Sequence, residues 1–134
     1  MRVLIERSAP EAEALAGLLA GEGDEVALAG PEELASEPAD RAYLDVWTPE
    51  SSPRVTALRE RGTRVTCSSE LVLERAQRAG ARTVGVTGSA GKSSTAAFLV
   101  QLLRHGGLSV RAAEDARLGH LWATGGLVAA LPSL

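Results

Sequence analysis

The run Thr83-Val84-Gly85-Val86-Thr87-Gly88-Ser89-Ala90-Gly91-Lys92-Ser93-Ser94-Thr95 joins a β-branched segment to a glycine turn and then to a Lys-Ser-Ser-Thr helix start. Thr83, Val84, Val86 and Thr87 are stiff at χ1, which suits a buried parallel strand better than a helix. Gly88 lets the chain turn sharply. Successive backbone N–H groups in such a turn point inward, and the next helix adds its unpaired first-turn N–H groups and the positive end of its dipole. The stretch therefore reads as a phosphate-binding loop, with donors from Gly88, Ser89, Ala90, Gly91, Lys92, Ser93 and Ser94 and a point charge from Lys92. A hydroxyl directly after that lysine, Ser93, can reach a Mg2+ ion bridging two phosphates. An ordinary glycine turn between strand and helix is the plainer reading, but it needs neither the lysine nor three hydroxyls.

Upstream, Arg2-Val3-Leu4-Ile5 suits a first buried strand. Ser8-Ala9-Pro10-Glu11 reads as a capping box with proline inside the helix start, and Leu15, Leu18 and Leu19 recur at helical spacing behind it. Gly21 to Asp24 end that helix before a second strand, Glu25 to Ala29. A dinucleotide site would place glycines after the first strand, where this chain has Glu6, Arg7, Ser8 and Ala9; Glu6 would repel a phosphate. A short helix and a loop are expected over Pro31 to Ala39, and a third strand over Arg41 to Trp47 with its carboxyl end in the Thr48–Pro53 turn. Val55 and Leu58 mark an amphipathic helix whose charged Arg59-Glu60-Arg61 reads as a solvated face, stopped by Gly62 before the strand Arg64 to Thr66. Ser68-Ser69-Glu70 starts a helix that ends near Gly80.

After the glycine loop, Ala96, Ala97, Phe98, Leu99, Leu102 and Leu103 make an apolar helix that stops at His105-Gly106-Gly107, and a strand begins at Leu108 to Val110. His105 reads as a surface residue compensating the helix dipole, and His120 as a packing residue; two isolated histidines make no metal site.

Composition narrows the class. A chain of 134 residues with a net charge of −3 has no broad basic footprint for nucleic acid, and 3% aromatic residues leave little for base stacking. Cys67 is the only cysteine, so an intramolecular disulfide is impossible and a reducing cytoplasm is expected, with Cys67 as a small buried residue. No apolar run suits a signal peptide or a membrane span, so no membrane partner is expected.

The form Gly88-x-x-Gly91-Lys92-Ser93-Ser94, preceded by Thr87 and with Val86 where the commoner phosphate loop has glycine, resembles the ATP loop of the Mur ligase family. These are ATP-dependent enzymes that add amino acids to cell-wall (peptidoglycan) precursors. The layout of the first eighty residues, with the turn after the third strand and the Ser-Glu-Leu start of the following helix, is similar to the D-glutamate-adding type. The resemblance implies a Rossmann-like parallel sheet over residues 1–80 and, over 81–134, a partial P-loop strand-helix-strand unit that starts the ATP-binding domain. It also implies ATP and Mg2+ as ligands. The family's acyl-phosphate chemistry needs groups from later regions, so this chain, as a truncated or degenerate member, is expected not to ligate alone. Residues 6–9 replace the family's uridine-diphosphate turn, and sugar-nucleotide binding is expected to be weak or absent.

Two other classes stay open. The fold can serve as a non-catalytic structural or interaction module, with the apolar tail of Leu121, Trp122, Leu127, Val128, Leu131 and Leu134 docking on a partner chain or in a homodimer, or folding back as a helix onto its own sheet. A small P-loop kinase is disfavoured, since no later Asp-containing strand for magnesium is evident after Val110, Asp115 being the only near aspartate.

Overall fold

The computed structural model describes residues 1–9, 11–45, 47–86, 89–112 and 127–131. It is an α/β protein with two compact units, residues 1–71 and 72–134, the division falling within the fourth helix. The first unit runs β1 (Arg2–Glu6), α1 (Ala12–Gly21), β2 (Glu25–Ala29), α2 (Pro31–Ser36), β3 (Arg41–Tyr43), α3 (Pro53–Glu60) and β4 (Arg64–Thr66), followed by α4 (Ser68–Arg78). Its sheet is entirely parallel, in the order β2-β1-β3-β4.

The central strand explains the rest. Val3, Leu4 and Ile5 are all buried, as expected for a strand covered on both faces. Leu4 faces α2 and α3, in a core with Leu34, Ala42, Leu44, Val55 and Leu58. Val3 and Ile5 alternate to the other face, the side of the buried α1 residues Leu15 and Leu19. Register is firm, with Val3 opposite both Val26 and Arg41 and with Ala42 opposite Val65. A one-residue slip would exchange the two faces of this core.

The helix ends show where local sequence rules were overridden. No capping box starts α1: its N-cap is Glu11, without a side-chain cap bond. The Glu11 carboxylate instead accepts a 2.5 Å hydrogen bond from the Ser68 hydroxyl, and both residues are buried. Tertiary pairing took the carboxylate that a capping box needs, and Pro10 lies outside the described residues. Arg61 is not merely part of a solvated face either. Its guanidinium donates to the carbonyls of Leu34 and Ala35, 2.6 Å each, and so satisfies the exposed acceptors at the end of α2. Gly62, at φ +80°, lets the chain leave α3 in a conformation that L side chains rarely adopt. Strand β3 is shorter than its apolar run suggests. After Leu44, whose N–H donates to the Thr66 carbonyl, the chain turns at Asp45, and Val46 lies outside the described residues. Cys67 is half-buried.

The second unit contains β5 (Arg82–Gly85), α5 (Lys92–His105), β6 (Ser109–Ala112) and β7 (Leu127–Leu131), in sheet order β5-β7-β6. Strands β5 and β6 run the same way, and β7 lies antiparallel between them. The expected buried parallel strand is therefore an exposed one in antiparallel pairing. The reason is the crossover, in which α5 leaves one strand position vacant and Leu127 to Leu131 fill it. That segment is a strand rather than a helix folded back on the sheet. One face of α5 packs through Ala96 and Val100 on Val110, with Val86, Leu99 and Leu103 around them. Phe98 and Leu102, from the same apolar run, are 68% and 69% exposed. Leu121, Trp122, Leu134 and His120 lie outside the described residues. Among the described residues no helix is long and apolar enough to cross a membrane.

Leu58 is fully buried in the first core, so Leu58→Ala should cost about 2–5 kcal/mol. Urea denaturation of the variant should show the lower midpoint, and a midpoint within error of the parent's would contradict the packing described.

Candidate functional site

Among the described residues, two places gather groups that could hold a ligand, one in each unit. In the second, β5 leads through Val86 to the glycine turn. Thr87 and Gly88 lie outside the described residues, and Ser89 and Ala90 form a bend ahead of α5. Gly91 is the N-cap residue of α5 at φ +74° and ψ 5°, in the left-handed region. Any L side chain would be strained there, and glycine also leaves no side chain to occupy the first-turn N–H groups. Lys92 is the first residue of the helix and half-buried; Ser93 and Ser94 follow in its first turn, with Ser94 exposed. Thr95 N–H to Gly91 carbonyl, 2.9 Å, is the first helical bond. The charge pattern of α5 follows its dipole only at the far end, where Arg104 and His105 occupy the last turn; no acidic residue stands in the first. A helix start without acidic residues of its own suits an anion.

The other place is the carboxyl edge of the parallel sheet. Connections leave β1 toward β2 on one side and reach β3 on the other, so the strand order reverses between β1 and β3, where open α/β sheets form their ligand crevice. Glu6, the last residue of β1, stands at this point and is 6% exposed. Its Oε1 accepts from Arg54 Nη1 at 2.7 Å, and its Oε2 accepts from the Asp45 N–H at 2.9 Å. Burial pushes the Glu6 carboxyl up, but the Asp45 N–H, the Arg54 guanidinium and the Ser8 side chain together outweigh it and hold the group below the ordinary carboxylate range. Asp45 spends its own carboxylate on the Trp47 N–H, 2.8 Å away, and Trp47 is 74% exposed.

Sequence reasoning singled out Glu6 as unfriendly to phosphate but missed its partner. Arg54 lies forty-eight positions away, and no local pattern distinguishes it from Arg59, the other arginine of α3. Among the described residues no three His, Cys, Asp or Glu side chains are gathered as metal ligands.

The depressed Glu6 acidity sets a pH dependence. A carboxyl whose folded pKa lies below its unfolded value adds stability that is present above the unfolded value, about 4.3 for glutamate, and is lost as pH falls through the folded one. Between neutral pH and pH 5 this contribution should be constant, and it should decline below about pH 4.3. In Glu6→Gln that part of the decline should vanish from melting curves taken across the acid range. Parallel profiles for parent and variant would show that Glu6 is not the group responsible.

Comparison of the chain with family models, curated proteins and solved structures finds no match in any of the three.

Proposed function

We propose that this protein binds Mg-ATP or Mg-ADP, with the phosphates over Gly88, Ser89, Ala90, Gly91, Lys92, Ser93 and Ser94 and the metal ion held on the nucleotide through the Ser93 hydroxyl. The observation that carries the reading is the left-handed Gly91 set directly before Lys92 at the start of a fourteen-residue helix that follows a strand. Backbone donors, a dipole end and a lysine then converge on one small volume, which is what a polyphosphate requires. The Mur ligase resemblance of the same residues supports this. It makes the protein an ATP-binding relative of the front third of the D-glutamate-adding ligases, one that needs further groups for ligation.

A second reading has its own observation. Phe98 and Leu102, one turn apart on α5, are both more than two-thirds exposed, and an apolar pair of this kind favours an interaction module that joins a partner chain or a second copy. Under that reading the nucleotide titration is flat and the protein sediments as a dimer at micromolar concentration.

Calorimetric titration with Mg-ATP separates the two. Binding should be saturable, and Lys92→Ala should weaken it by about 1.5–3 kcal/mol, the loss of a charge-assisted phosphate contact. A variant that binds as tightly as the parent would overturn the assignment of the phosphates to this loop.

A further inference from the structure

The groups around Glu6 form a constellation that the nucleotide reading leaves unused and that stands independently of it. Three donors from three separate segments meet on one carboxylate. They are the Arg54 guanidinium on α3, the Asp45 N–H in the turn after β3, and the Ser8 side chain in the turn after β1. Two of them take one carboxylate oxygen each, at 2.7 and 2.9 Å, which is how a protein receives a free carboxylate or the edge of a phosphate. They do so at the reversal of strand order, where a parallel sheet exposes its crevice. The Asp45 carboxylate, which could have competed for the guanidinium, is engaged with the Trp47 N–H.

We propose that these donors are an oxyanion-binding site that the chain fills with its own Glu6 side chain, an internal occupant that keeps the crevice between β1 and β3 closed to free anions. The ligand class is a small carboxylate, which matches the planar group now in place. A tethered occupant competes at a very high effective concentration, so no free anion displaces it in the parent protein. Removing the buried Glu6 carboxylate leaves the part-exposed Arg54 guanidinium and the Asp45 N–H without their acceptor, and both then seek another.

Acetate is the probe, with chloride at equal ionic strength as the control. Glu6→Ala should melt roughly 5–10 °C below the parent in chloride. Acetate should raise its melting temperature saturably toward the parent value while leaving the parent itself unmoved. In Glu6→Ala/Arg54→Met the acetate-specific gain should disappear. If Glu6→Ala is unfolded in chloride, acetate should restore its helical circular dichroism and cooperative melting. Glu6→Ser, a milder change, should respond in the same sense. Equal responses to acetate and chloride in Glu6→Ala and Glu6→Ser, or an acetate gain that survives loss of Arg54, would overturn the proposal.

Discussion

A strand with helices on both faces cannot turn any side chain to water, and its backbone groups must be paired on both edges. In the first unit that strand is β1. Val3 and Ile5 look one way and Leu4 the other, while β2 and β3 take its two edges. Every other element of the unit is placed by this demand. Helices α2 and α3 cover the Leu4 face, and Arg61 then holds the end of α2 through its carbonyls. The same demand fixes Glu6, since the residue that ends β1 is carried to the edge of the sheet with its first carbons inside. A carboxylate in that position has to find donors from elsewhere in the chain, and Arg54 and Asp45 supply them.

The second unit is governed by a different constraint. Helix α5 spans the gap between two strands that run in the same direction without touching. Their inner edges need a common partner, and β7 satisfies both with one run of five residues. Where the β-branched run at Thr83 to Thr87 suggested a parallel strand, β5 has an antiparallel neighbour.

Strands β1, β2 and β4 and the stops at Gly62, Gly80 and Gly107 were legible because they rest on local chemistry: apolar runs of strand length, and glycines that take positive φ. The start of α5 at Lys92 was legible for the same reason. The false capping box at Ser8 and Glu11 shows the limit. Its signature is local, but Ser68, fifty-seven residues on, claims the carboxylate. The pairing of Glu6 with Arg54 and the use of Arg61 as a cap for α2 are equally non-local, and charge patterns alone place such residues on a solvated surface. The apolar run of α5 misled in the opposite direction. Seven apolar positions crowd its fourteen residues, so periodicity could not say which stripe the sheet would cover, and Phe98 and Leu102 lie outside it.

The placement of β7 ties assembly to the order of synthesis. The four strands of the first sheet and the connections between them are all translated by Thr66, so that unit can collapse while the ribosome is still making the rest. The second sheet has no such freedom. Strands β5 and β6 share no hydrogen bonds with one another, and their inner edges stay unmatched until Leu127 to Leu131 leave the exit tunnel. During that interval α5 has only a broken platform beneath it, and the nascent chain offers two open strand edges to whatever chaperone or neighbouring polypeptide is at hand.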